Sequence, residues 1–86
     1  MNEANIKSAI KTHILNEFLP GEAPASLTDT TELATTGILD SISTLKLVAF
    51  LESHFSITIE AHEARVENLN TLSDITALVL SKLGPQ

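Results

Sequence analysis

At Asp40 the chain changes character. A run of small and polar residues gives way to Ser41-Ile42-Ser43-Thr44-Leu45-Lys46-Leu47-Val48-Ala49-Phe50-Leu51, the most apolar helical stretch in the sequence. Asp is a strong N-cap because its carboxylate accepts from the free backbone N–H groups of a helix start, so Asp40 as cap makes Ser41 the first helical residue. Its hydroxyl then sits at the positive end of the helix dipole. An anion joined to that oxygen would meet unpaired N–H donors and a field favourable by about 0.3–1 kcal/mol, which suits a phosphate ester. Gly37 lets the backbone turn just before this point.

From Ser41 to about Phe55 the helix carries two apolar stripes. At 100° per residue Thr44, Leu47, Val48, Leu51 and Phe55 form one continuous face, enough to cover a core. Ile42, Leu45 and Ala49 form the second, bordered by Lys46, Glu52 and Ser53. Two readings of that second stripe are open. A central helix can be buried on both sides, or the stripe can stay exposed on the flank of Ser41 and dock partner enzymes. Phe50 belongs to neither stripe.

The rest of the chain can be organised around this helix. Ile6, Ile10, Ile14 and Phe18 recur at steps of four, which predicts an amphipathic helix from about Glu3 to Leu19, ended by Pro20-Gly21. Gly21 to Thr36 reads as a long ordered loop pinned by Leu27 and Leu33. A loop of that length in a small domain needs a reason, and joining two helices that run in the same sense would be one. Ile57-Thr58-Ile59 alternates like a strand but is too short to stand alone, so an extended connector is expected. Ala61 to Asn68 supports at most a short helix, with Val66 and Leu69 as its core residues. Thr71 with Asp74 three residues on marks a last helix, faced by Leu72, Ile75, Leu78, Val79 and Leu83 and stopped by Gly84-Pro85. The predicted fold is all-α, a small four-helix bundle of three longer helices and one short one, with a long loop between the first two.

An 86-residue chain is expected to be a single domain over residues 1–86, with one modest core and no cleft between lobes. With three Phe and no Trp or Tyr, that core must be aliphatic. A formal net charge of -6 repels phosphate backbones, so nucleic acid is not expected as a partner. The absence of cysteine removes disulfides, thiolate metal sites and a protein-borne thiol nucleophile. Any thiol chemistry must come from a prosthetic group. Met1-Asn2-Glu3 opens no signal sequence and no apolar run approaches a membrane span, so a cytoplasmic location is expected.

Little in the sequence supports catalysis. Ser41 and Asp40 with His13, His54 or His62 supply the letters of a hydrolase triad. Gly-x-Ser-x-Gly is absent, however, and an adjacent Asp points the wrong way to orient a base. The histidines are not at metal-ligand spacing, and Asp40–Leu51 fails as a calcium loop because Ile42 and Leu45 occupy its third and sixth positions. No catalytic residue and no metal site are expected. A helical interaction module without any prosthetic group is a further possibility that composition leaves open.

Gly37-Ile38-Leu39-Asp40-Ser41-Ile42, followed by Leu45, Leu47-Val48, Leu51-Glu52, Phe55 and Ile57-Thr58-Ile59, resembles the carrier proteins of fatty-acid, polyketide and peptide synthesis. The resemblance runs from about Leu27 to Leu83. It implies that Ser41 is esterified by 4'-phosphopantetheine taken from coenzyme A, with Asp40 helping to organise the modifying enzyme's site. It implies as partners a phosphopantetheinyl transferase, an acyl- or aminoacyl-loading ligase and downstream synthase or transferase enzymes, and a non-catalytic, monomeric carrier holding its cargo as a thioester. Ile42, Leu45, Lys46, Ala49 and Glu52 are the expected docking residues.

Housekeeping fatty-acid carriers of this family have Gly-Ala-Asp-Ser-Leu and an acid-rich second helix. Here Ile38-Leu39 precede Asp40, and Lys46, Ser53 and His54 stand where acids are common, which leaves Glu52 alone. A less acidic docking face fits different enzymes. The pattern resembles stand-alone carriers of specialised pathways, including those loaded by an adenylating ligase. Fatty-acid synthesis is the alternative.

Overall fold

A computed structural model describes residues 2–21, 27–33 and 37–83. Four helices follow in order: α1 (Glu3–Phe18), α2 (Ser41–Phe55), α3 (Val66–Leu69) and α4 (Leu72–Leu83). No strand occurs among the described residues. The all-α bundle with one short helix is as predicted from the apolar spacing.

In α1, Ile6, Ile10 and Ile14 are fully buried, as the step of four requires. Asn2 starts the helix by accepting from the Asn5 amide at 2.8 Å. At the other end the Leu19 N–H closes back on the Ile14 and Leu15 carbonyls at 3.3 Å, and Gly21 follows at φ +89, a conformation that suits a residue without Cβ. The α1 isoleucines pack chiefly against α4, where Leu72, Ile75, Leu78 and Val79 are buried. Thr76 is buried with them, its hydroxyl satisfied by the Leu72 carbonyl at 2.8 Å. Thr71 caps α4 by accepting from the Asp74 amide at 3.0 Å. The predicted stop at Gly84-Pro85 lies outside the described residues.

α2 buries Leu47, Leu51 and Phe55 and leaves Thr44 and Val48 half-buried. It ends at Ser56, in the left-handed region at φ 55, with the Ser56 and Ile57 amides both returning to the Glu52 carbonyl. Ile59 is buried, Thr58 exposed and Ile57 half-buried, so the connector alternates as its sequence predicts. The Glu52 carboxylate turns back to accept from the Ile59 amide at 2.9 Å and so fixes where the connector leaves the helix.

Phe50 acquires a position that its stripe pattern did not supply. Its ring lies flat on the His13 imidazole, centroids 3.8 Å apart and planes 7° from parallel, with His54 stacked at 5.0 Å. His13 and Phe50 also border two hollows between α1 and α2. Asn5 and His54 line one of them, Glu17 and Lys46 the other. The end of α1 therefore meets the start of α2, and the two helices are antiparallel, not parallel as the loop length suggested.

The loop is long for a different reason: it ties three elements together. The Asp29 carboxylate accepts from Lys7 Nζ at 2.8 Å, in the second turn of α1, while the Asp29 carbonyl accepts from the Ser73 amide at 3.1 Å, in the first turn of α4. Leu27 and Leu33 are fully buried, as pinning residues should be. The Leu33 amide donates to the Asn70 carbonyl at 2.6 Å and its carbonyl accepts from Leu39 at 2.9 Å, which holds the approach to α2 against the joint between α3 and α4. Val66 is corrected: it is 51% exposed, and Leu69 alone of that short helix enters the core. A four-residue helix has one inward position per turn, and Leu69 takes it.

Two stability measurements check this packing. Leu51→Ala should cost about 2–5 kcal/mol in urea unfolding, as truncation of a fully buried leucine in a close-packed core does. His13 is held below the ordinary histidine value of 6.5 mainly by burial, and its Nε2 is buried without a hydrogen-bond partner among the described residues. A folded-state pKa below the unfolded one gives stability that is complete above the unfolded value and lost as pH falls through the folded one. The urea midpoint should therefore drop as pH falls through and below the ordinary histidine value of 6.5, and His13→Phe, which keeps the ring stack, should flatten that dependence. An equal drop in both proteins would place the titrating group elsewhere.

Candidate functional site

The approach to α2 is shaped by Gly37, at φ +85, where a side chain would be strained, and by Leu39, buried beneath the turn. Asp40 then caps the helix from an extended conformation, Oδ1 accepting from the Ser43 amide at 2.8 Å. The Ser43 backbone and hydroxyl together hold the Asp40 carboxyl below the usual carboxylate range, with a smaller contribution from the Ile42 amide. Ser41 is the first residue of α2 and is exposed.

The same end of the molecule carries a shallow hollow. It is bordered by Leu39, Asp40, Ser41 and Thr44 from α2 and its approach, and by Ala64, Arg65, Val66 and Leu69 from α3 and its approach. Among the described residues no histidine borders it, and Asp40 is committed to the cap, so the triad letters are not brought together. His13 and His54 are instead the faces of the Phe50 stack between α1 and α2. Among the described residues no three His, Asp or Glu side chains gather as metal ligands, and no helix is long and apolar enough to cross a membrane.

The second stripe is not buried against a neighbouring helix. Ile42 is 66% and Leu45 70% exposed, and Lys46 and Ala49 are exposed beside them. Glu52 differs from these four in burial. It is half-buried, and its carboxylate already serves the Ile59 amide.

Arg65 was not singled out by sequence reasoning. It lies in a mixed stretch, His62-Glu63-Ala64-Arg65-Val66-Glu67, whose charges look alike until the fold is known. Glu63 is drawn away to Lys82, which approaches its carboxylate oxygens at 2.7 and 2.9 Å and holds that carboxyl below the usual range. Arg65 is left bordering the hollow, its Nε at 3.4 Å from Glu67 Oε2 on the surface.

The family model for the phosphopantetheine attachment site matches residues 14–79, a span that takes in the end of α1, all of α2 and α3, and most of α4. The chain belongs to this family. No curated protein matches it as a relative. Members of the family are carriers to which a 4'-phosphopantetheine prosthetic group is attached.

The residues at the start of α2 fit such a group. A primary hydroxyl stands clear of the core at a helix N-terminus, where the dipole favours an anion. The hollow beside it has apolar walls and one guanidinium.

The cap makes a prediction of its own. Asp40→Ala should lower the urea midpoint at neutral pH, and Asp40→Asn, which keeps an acceptor, should restore most of it. Because the folded pKa of Asp40 is depressed, its contribution is present above the unfolded value and is lost as pH falls through the folded one. The difference between wild type and Asp40→Ala should accordingly shrink in acid; a difference that stays constant would show that the carboxylate charge is irrelevant to the cap.

Proposed function

We propose that this chain is a discrete acyl or aminoacyl carrier protein of a specialised biosynthetic pathway, with the arm on Ser41. The observation that carries the reading is the pairing of an exposed first-turn hydroxyl with large apolar side chains left in water on the same helix. An 86-residue chain that leaves Ile42 and Leu45 uncovered while burying Leu47 and Leu51 is holding a surface for something else.

Ser41 acts once on its own account, when a phosphopantetheinyl transferase binds the carrier with coenzyme A. Its Oγ forms the bond to phosphorus and loses its proton, and adenosine 3',5'-bisphosphate departs with the broken pyrophosphate bond. Asp40 is the neighbour that the transferase reads, together with its metal. From then on the protein presents and orients. It has no catalytic residue of its own, and its working place is the cytosol, where coenzyme A is at hand.

Ile42, Leu45, Lys46 and Ala49 form the face for the loading ligase and the downstream synthase or transferase. Lys46 is exposed in this face and Glu52 is turned inward to Ile59, so little negative charge is offered to a basic partner. That favours dedicated partners over the fatty-acid enzymes, which meet acid-rich carriers in this family. Docking that rests on apolar contact should change little with salt.

Incubation with a phosphopantetheinyl transferase and coenzyme A should raise the intact mass by one phosphopantetheine, and Ser41→Ala should show no gain. An equal gain in Ser41→Ala would place the arm elsewhere, and no gain with several transferases would remove the carrier reading. Ile42→Glu should fold as wild type does and be impaired in loading or transfer. If it proves the less stable protein, the second stripe is core.

A further inference from the structure

We infer that the guanidinium of Arg65 pairs with the phosphodiester formed on Ser41, so that the root of the arm is held against α3 and does not swing freely from α2. This rests on the reading of Ser41 as the attachment residue. Arg65 and Ser41 border the same hollow from opposite elements, α3's approach and α2's first turn. Among the described residues Arg65 is the one lysine or arginine lining it. Lys7 is bound to Asp29 at 2.8 Å and Lys82 to Glu63 at 2.7 Å. Lys46 borders the hollow between α1 and α2 instead.

The charge situation at Ser41 calls for a cation. Attachment converts a neutral hydroxyl into an anionic diester on a chain of net charge -6, beside the Asp40 carboxylate that caps the same helix. The helix N-terminus offsets part of that repulsion. Arg65 offers the rest, because a guanidinium fork matches two phosphate oxygens at once in a way an ammonium does not.

Arg65 is also able to make the exchange. Its contact with Glu67 uses Nε at 3.4 Å, with both side chains more than half exposed, the kind of screened surface pair that contributes little and breaks readily. Arg65 is not occupied in capping α3, whose start carries no side-chain cap bond. Transfer of the fork from Glu67 to the diester would also draw the arm's first atoms over Val66 and Leu69, the apolar wall of the hollow. Val66, exposed without the arm, would gain a covering.

The test compares apo protein with protein loaded by a phosphopantetheinyl transferase and coenzyme A, loading being verified by intact mass. In wild type the Arg65 Nε–Hε resonance should shift on loading at low salt and return towards its apo position as salt is raised. In loaded Arg65→Gln the amide groups of the arm should relax as a more mobile chain than in wild type, with helix content unchanged. Arg65→Lys should fall between them. An Arg65 resonance that is the same in apo and loaded protein, or arm mobility equal in wild type and Arg65→Gln, would overturn the inference while leaving the attachment at Ser41 intact. Failure of wild type to gain mass would overturn the attachment reading, and the inference with it.

Discussion

α2 has to satisfy two opposed demands with one cylinder. Its middle must bury Leu47, Leu51 and Phe55, each contributing about 1.5–3 kcal/mol on leaving water, while its first residue stays exposed. The fold reconciles them at Asp40. Asp40, capping through the Ser43 amide, makes Ser41 the first residue of the helix, and Leu39 is buried immediately before the cap. The serine is thus set in the first turn between an anchored residue and a satisfied helix end. It is exposed there.

The long connection between α1 and α2 serves the same end. It does not simply span a distance. Asp29 joins α1 to α4 through its carboxylate and its carbonyl, and Leu33 joins the approach of α2 to Asn70 before α4. Because Asn70 directly follows α3, the hollow beside Ser41 is bounded by segments that the loop holds in register. The exposed wall of that hollow, Val66 and Arg65, is the part of the core's edge that a four-residue helix cannot turn inward.

Much of this was legible in the residues. The four-step spacing of Ile6, Ile10 and Ile14, the caps at Asp40 and Thr71, and the buried pins Leu27 and Leu33 are local signals, set by helix periodicity and by side chains that bond their own backbone. What could not be read depends on distant partners. The antiparallel sense of α1 and α2 is decided by where the loop is tied, not by its length. Phe50 finds its place only once His13 is opposite it. Val66 looked like core because it is apolar, and Glu52 looked like a docking acid because it is charged; one is exposed and the other bonded to Ile59. Arg65 carried no local signal, since its meaning comes from the hollow that Ser41 shares with it.

The central claim is about one oxygen atom, and the most direct measurement is to locate the modification within the loaded protein. Fragmentation mass spectrometry of the phosphopantetheinylated chain should find the arm on Ser41. Finding it on Ser43, Ser53 or any other hydroxyl would contradict the account, because the cap at Asp40 would then be holding the wrong residue in place.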